Sequence, residues 1–488
     1  MSTARKLAKR VLGGVARRYT PRRQDLPLSL WGLSQDGSGA LSLRTVALGD
    51  LIRRWGTPLH VVDSLRLVEN AAKFQARPPG AARGCRVLCS YKTNPVPGVL
   101  RMLHSQGLGA EVVSPYELWL ALRLGVDPGA IVYNGPAKSR ASIAVALDRE
   151  VGLINVNARS EIAPLAALAR RMGRRPTVGV RVVVPGSVGG QFGERIDTGA
   201  ALAAFREALQ FPELRVRALH SHYNGEIVGR DQLDAFLSSL LAFADELHAR
   251  LGLAIEIIDI GGNLACPTVS RLSWRTRRLA TSFGCEPVPR PPESVLSIDA
   301  YVERAVRRVE GHFAGTGRTA PELFVEPGRA LMSNTQMLLS RVLAIRDPDA
   351  AGMRWAVVDT GLHLAEPMSS EFHQLFSVAA RRGSPQHLYR LSGPSCMLSD
   401  QVCAAWRLPE LAVGDGLAIM DSGAYFVPFS SCFSFPRPGI VAVGHAGEEI
   451  LRRAETFEDL IARDAEAVGV GGAVASRSDS LHRMLWDA

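Results

Sequence analysis

Lysine is scarce in this chain of 488 residues. It occupies five positions (6, 9, 73, 92 and 138) among 57 basic side chains, and arginine supplies the other 52. Arginine is effectively never deprotonated and cannot act as an amine nucleophile, whereas lysine can. A lysine retained inside an apolar strand pattern, as Lys92 is in RVLCSYKTN, is therefore a candidate for chemistry that arginine cannot perform. Cysteine is also sparse: seven residues, at 85, 89, 266, 285, 396, 403 and 432, odd in number and without a CxxC pair. That indicates neither a disulfide framework nor a zinc knuckle, and it suits a reducing cytoplasm. No run of about 18 uncharged apolar residues occurs, which excludes an ordinary transmembrane helix. Acidic residues are missing from the first 24 positions, which hold eight Arg and Lys.

That basic arm carries most of the net charge of +10. The remainder is only mildly basic, so the charge gives no ground for a nucleic-acid partner. The arm reads as a disordered or loosely helical extension, a docking or membrane-surface element, or a targeting segment, and it lacks the long apolar core of a secretory signal. With 47% hydrophobic and 21% charged residues, the bulk of the chain folds, into two or three domains.

From about 85 to 330 one theme repeats: a short β-branched run, a loop, then an amphipathic stretch. The expected strands are Arg86–Tyr91, Ala110–Val113, Ile131–Tyr133, Leu153–Val156, Val178–Val184, Ala218–His222, Glu256–Ile260 and Leu323–Glu326. Helical segments such as Tyr116–Leu124, Ser160–Arg171 and Asp231–Leu251 lie between them. Near-continuous apolar strands suit a parallel sheet covered on both faces, and eight βα units predict a closed (β/α)8 TIM-like barrel. After Gly328 the alternation ends. Strand-like runs at Gln336–Ile345, Trp355–Asp359, His387–Leu391, Leu417–Asp421 and Ile440–Val443 predict a second, mainly β domain. The expected divisions are an arm at 1–27, a segment at 28–60 packing with the β domain, a barrel at 61–330 with an irregular insertion at 265–297, the β domain at 331–462 and a tail at 463–488.

A barrel of this kind carries its active site at the C-terminal strand ends. Those ends read Tyr91-Lys92-Thr93-Asn94, His220-Ser221-His222-Tyr223-Asn224-Gly225, Asp259-Ile260-Gly261-Gly262-Asn263 and Glu326-Pro327-Gly328-Arg329. One mouth thus gathers an amine, imidazoles, a carboxylate, an arginine and Gly-rich turns suited to a phosphate. The set suits a phosphorylated carbonyl cofactor held by an amine, which is pyridoxal phosphate.

With YKTN at 91–94, GLGAEVVSPYEL at 107–118, LHSHY at 219–223, DIGG at 259–262, EPGR at 326–329, GPSC at 393–396, GAY at 423–425 and RRAETFEDL at 452–460 in order, the chain resembles the fold-type III pyridoxal-phosphate decarboxylases, closest to the diaminopimelate decarboxylase branch. The resemblance implies an amino-acid decarboxylase with an alanine-racemase-like C-terminal β domain. It implies that Lys92 forms the Schiff base with the cofactor, His222 stacks on the pyridine ring and Glu326 pairs with the ring nitrogen. Arg329 and the amides around Gly261, Gly262 and Gly328 are implied to hold the phosphate, with Tyr425 adding a contact from the second domain. Glu111 and Glu117 match acidic positions near the lysine, with surface or helix-start roles equally open. Cys396 takes the place of the catalytic cysteine that serves the partner subunit, so a homodimer with shared sites is implied. No metal, nucleic acid or integral membrane contact is expected. A non-catalytic cofactor-binding relative and an amino-acid racemase are the alternatives.

The family pattern is broken at several positions. The residue after the cysteine is Met397 where the diaminopimelate branch has an acid, and Glu366-Pro367 stands where it has Arg-Pro. A zwitterionic distal end needs both charges, and an unpaired buried charge costs several kcal/mol. The expected substrate is therefore an amino acid other than diaminopimelate, or an amino-acid conjugate or carrier-bound amino acid. Tyr223-Asn224-Gly225 replaces an aliphatic-Gly-Ser turn, and Asn263 replaces a third glycine.

Overall fold

The computed structural model describes residues 3–187, 190–348, 352–379 and 385–464, with backbone only for 3–10. Most of the expected tail at 463–488 lies outside the described residues. The chain divides into two compact units. One holds Val68–Ala265 and Ser294–Leu331; the other holds residues up to Leu67, then Cys266–Glu293, then Met332 onward.

The first unit is a closed parallel barrel. Its strands are β1 (Arg86–Ser90), β2 (Gly109–Val112), β3 (Ile131–Tyr133), β4 (Leu153–Val156), β5 (Thr177–Val183), β6 (Arg215–His220), β7 (Ile257–Asp259) and β8 (Glu322–Val325). Each pairs with the next, and β8 closes on β1 with Phe324 opposite Arg86. The expected strands are all present: Ile131–Tyr133 and Leu153–Val156 have the expected limits, and the other six are displaced by one to three residues at one or both ends. Inside, Leu88, Val132, Leu153, Ala218 and Phe324 pack with Ile257 in an apolar layer. Side chains two apart on a strand share a face. The next inward positions toward the C-terminal end are therefore Ser90, Asn134, Asn155, His220, Glu326 and Asp259, five of them strand ends or the residues just after. An apolar plug thus carries a polar floor.

The second unit is a mainly β body. Strand Gln336–Arg346 sits centrally, antiparallel to Leu59–Asp63 (Met337 opposite Val61) and to Arg354–Val358 and Gly416–Ile419. Gln386–Ser392, Gln401–Pro409, Gly439–Gly444 and Gly447–Arg452 extend the sheet. Trp31, Leu43, Leu338, Phe372 and Trp406 lie in its core. The stretch expected as a barrel insertion belongs instead to this unit: Ser270–Arg271 pairs with Glu371–Phe372, and Glu286 pairs with Arg23 and Arg407. The basic arm also differs from a loose extension. It forms a helix, Thr3–Tyr19, as its Ala, Leu, Arg and Lys content favours. Its far end is docked, since the Arg17 guanidinium donates to Phe283 O at 2.8 Å and that of Arg23 lies 3.9 Å over the Trp406 ring. Among the described residues no helix is long and apolar enough to cross a membrane.

Candidate functional site

The barrel's polar floor is a connected network. Lys92, in the single turn after β1, places Nζ 2.6 Å from Glu111 Oε2 at the end of β2, and the Ser90 hydroxyl donates to the same oxygen at 2.6 Å. Asn134 Nδ2 donates both to Glu111 Oε1 (3.1 Å) and to Glu326 Oε1 (2.6 Å), and Asn155 Nδ2 donates to Asn134 Oδ1 (2.8 Å). One amide thus joins the acid beside the amine to the acid after β8. Burial pushes the Glu111 carboxyl up, but the Lys92 charge and the hydrogen bonds from Lys92, Ser90 and Asn134 outweigh it and leave the group below its ordinary range. Glu111 is therefore a buried carboxylate rather than a surface acid.

The two lysines of the barrel mouth differ in what they have left to offer. Lys138 is buried and consumed by the Glu161 carboxylate (2.7 Å), Gly135 O (2.6 Å) and Asn155 O (3.0 Å). The Lys92 side chain is 36% exposed, so its amine faces the space above the floor. Only the second geometry leaves an amine accessible to a ligand.

At the C-terminal ends of β6, β7 and β8, His220, Asp259 and Glu326 are all buried and offer ligand atoms within 4.8 Å of one another. Neither ring nitrogen of His220 has a hydrogen-bond partner in the structure. Burial, with the neighbouring Asp259 and Glu111 charges, raises the Glu326 carboxyl well above its ordinary value, and burial raises Asp259 to about 6. Two desolvated acids side by side cannot both ionise cheaply, so this corner favours a cation or a shared proton. The half-buried Arg181 of β5 faces the same acids and lies 4.6 Å from the Phe192 ring centroid.

The Gly-rich turn after β7 is shaped by close approach. A Cβ at Gly261 would lie 2.4 Å from His222 Nδ1, one at Gly262 would lie 2.6 Å from Glu326 O, and one at Gly328 would lie 2.2 Å from Thr93 Oγ1. The N–H of Gly262 donates to His222 Nδ1 (3.2 Å) and that of Gly261 to Asp259 Oδ1 (2.9 Å). These two amides, expected to hold a phosphate, already have acceptors inside the barrel; that of Gly262 fixes the imidazole and that of Gly261 the Asp259 carboxylate. Burial, Lys92 and Arg181 hold the His222 imidazole well below its ordinary pKa, hence neutral. Asn263 takes a left-handed φ of 72°, which asparagine tolerates better than most residues, and this explains why it can stand where a third glycine was expected. Arg329 opens a short helix directly after Gly328.

Glu117 shows how local sequence sets an acid. Ser114 caps the helix Pro115–Arg123 by accepting from the Glu117 N–H, and the Glu117 carboxylate accepts from Val113 N at 2.7 Å. Burial and the Glu111 charge raise its carboxyl to about 7. A carboxyl raised by folding contributes stability below its unfolded value, and that contribution is lost as pH rises through the folded value. Glu117→Gln is expected to flatten the decline in melting temperature between about pH 5 and pH 8. Parallel curves for parent and variant would contradict this assignment.

The remaining sequence candidates lie in the β unit. Cys396 is exposed and free, in a turn after Gln386–Ser392 that Asp400 organises by accepting from Ser395 N (3.0 Å), the Ser395 hydroxyl (2.5 Å) and Leu362 N (2.7 Å). Met397 is 44% exposed. Glu366 is exposed and begins the turn Glu366–Ser369. Tyr425 takes a φ of 70° at the start of the short helix Phe426–Phe429. Residue-by-residue reading gave no role to Asn134, Asn155, Arg181 or Asp259. The signal was present: each is a polar residue in or directly after an otherwise apolar strand.

A family model described as "Pyridoxal-dependent decarboxylase, pyridoxal binding domain" matches residues 71–333. Among curated proteins the chain is similar to the diaminopimelate decarboxylase of Methanothermobacter thermautotrophicus, at 28% identity over 425 residues covering 84% of this chain and 92% of the relative. It is similar to that of Zymomonas mobilis at 27% over 447 residues, covering 88% and 98%. A crystal structure of diaminopimelate decarboxylase from M. jannaschii in complex with L-lysine shares the fold, with a TM-score of 0.78 at 22% identity over 88% of this chain and 97% of that one.

Proposed function

The chain belongs to the pyridoxal-dependent decarboxylases, and we propose that it removes CO2 from an amino acid or amino-acid conjugate other than diaminopimelate, using Lys92 and Glu326 as the two ends of the cofactor site. It is an amino-acid carboxy-lyase, and pyridoxal phosphate is its cofactor. The observation that carries the site assignment is the pairing of an accessible amine at 2.6 Å from a buried carboxylate with a second, desolvated acid corner across the same floor.

The residues fit the group. Lys92 would hold the cofactor's aldehyde carbon, and His222, neutral and clamped through Nδ1, would present its face to the ring. Glu326 would stand at the ring nitrogen, where its raised carboxyl supplies the proton that a pyridinium requires. Arg329, beside the close turn at Gly328, would hold the phosphate. When bound, the cofactor supplies an electron sink for the pair left on the α carbon as CO2 departs. Glu111 keeps the Lys92 amine aligned and is placed to accept the proton that this amine must lose before acting as a nucleophile. Cys396 Sγ is the proposed donor of the proton that replaces CO2.

Two features support a substrate other than the one in the relatives' names. Met397 follows Cys396 and offers no charge to a distal ammonium, and Glu366 offers a negative charge where a distal carboxylate would need a positive one. In a mass-spectrometric screen, meso-diaminopimelate is expected to give no CO2 above background, while at least one N-acylated, citrylated or carrier-tethered amino acid turns over. Turnover of diaminopimelate as the preferred substrate would refute this reading. The exposed Cys396 supports a homodimer in which each β unit serves its partner's barrel. Mixing inactive Lys92→Ala and Cys396→Ala chains under subunit exchange is then expected to restore up to about a quarter of parental activity, the share of sites with both residues intact; no recovery would count against shared sites. Free cysteines throughout suit a reducing, cytoplasmic setting.

A further inference from the structure

Over residues 11–19, the helix Thr3–Tyr19 is docked by one face and exposed on the other. Gly13 is buried and lets the helix approach Phe283 O, to which the Arg17 guanidinium also donates; the Thr20 hydroxyl reaches Cys285 Sγ at 3.5 Å. The opposite face exposes Val11, Leu12, Val15 and Tyr19, the last at 81%. At 100° per residue these four fall within one 100° sector, so they form a continuous apolar stripe rather than scattered surface residues. The helix Trp274–Phe283, against which it packs, exposes Trp274 (62%) and Leu279 together with Arg275, Arg277 and Arg278.

The charges of this module have one sign where the stripe lies. The first 24 residues carry eight basic side chains and no acid. Two acids that follow are paired, Asp25 with Arg23, and Glu286 with Arg23 and Arg407. We propose that the exposed face of the Thr3–Tyr19 helix docks this protein peripherally on an anionic lipid surface. An apolar stripe in a strongly basic helix, with aromatic side chains exposed alongside, is the pattern of a helix lying in the headgroup plane. Its docked face keeps the helix parallel to the protein surface, so the enzyme would sit on the membrane without spanning it. The charge complementarity selects anionic over neutral lipid, and the stripe supplies apolar burial that a free anion would not exploit.

The test is co-sedimentation of the full-length holoenzyme with vesicles of phosphatidylcholine containing about 30% phosphatidylglycerol, against phosphatidylcholine alone. Binding is expected to be at least about tenfold tighter to the anionic vesicles and to be lost in ~0.5 M NaCl. Val11→Asp/Val15→Asp and, separately, Arg18→Glu/Arg22→Glu are expected to weaken it by about tenfold or more while circular dichroism and decarboxylation in solution stay at parental levels. Failure of the parent to bind, equal binding to neutral vesicles, or parental binding by both variants would overturn the proposal. So would a change in oligomeric state by the Val11/Val15 variant without any vesicle binding by the parent, which would assign the stripe to a second copy.

Discussion

Lys92→Ala is expected to lower CO2 release by roughly 10²–10⁴-fold from the lost proton-transfer role alone, and further from the loss of covalent attachment. The purified variant is expected to lack the visible absorbance of protein-bound cofactor. Borohydride treatment of the parent should fix the cofactor to the peptide carrying Lys92, and the same treatment of the variant should fix none. The structural ground is the contrast between the two lysines of the mouth: Lys138 is enclosed by Glu161 and two carbonyls, while the Lys92 amine is accessible and held by Glu111 at 2.6 Å. Removing that amine also leaves Glu111 without its counter-charge, so the variant's fold is checked by circular dichroism, with Lys92→Gln as a second, polar replacement. Cofactor fixed by borohydride to any other residue would refute the assignment.

The second large effect concerns the acid across the floor. Glu326→Gln preserves size and the acceptor for Asn134 but removes the charge that would oppose a cationic ring nitrogen. In a desolvated corner that interaction is strong, and its loss is expected to reduce kcat by about 10²–10³-fold with cofactor still bound. Because the carboxamide keeps the hydrogen-bond network, KM should change little. A variant with parental kcat would place the ring-nitrogen partner elsewhere, and Asp259, raised to about 6 in the same corner, would be the residue to replace next.

Much of the barrel was legible in the chain because its strands are covered on both faces and read as short apolar runs. The period-two rule then carries the reading further than strand limits: Leu88 to Ser90, Val132 to Asn134, Leu153 to Asn155 and Phe324 to Glu326 each step from plug to floor on one face. The strand-end motifs placed Lys92, His222, Gly261, Gly262 and Glu326 at one end of one barrel, and the structure has them there. What the motifs did not show was how the polar atoms pair. The Gly261 and Gly262 amides turn inward to Asp259 and His222, and Asn134 joins Glu111 to Glu326. Such pairings depend on which side chains arrive together from separate strands.

The chain by itself determined the alternation of strands and helices, the shift to β structure after Gly328, and a rare amine at a strand end, because periodicity, composition and chemical type are local properties. Only the tertiary structure decided that residues 266–293 join the β unit, through a strand pair with Glu371–Phe372 about a hundred residues away. It alone decided that the basic arm is a helix with one face covered. It also decided that, of the two lysines at the mouth, only Lys92 presents an accessible amine. Burial and ionisation are set by groups distant in sequence, and they exist only once the chain has closed on itself.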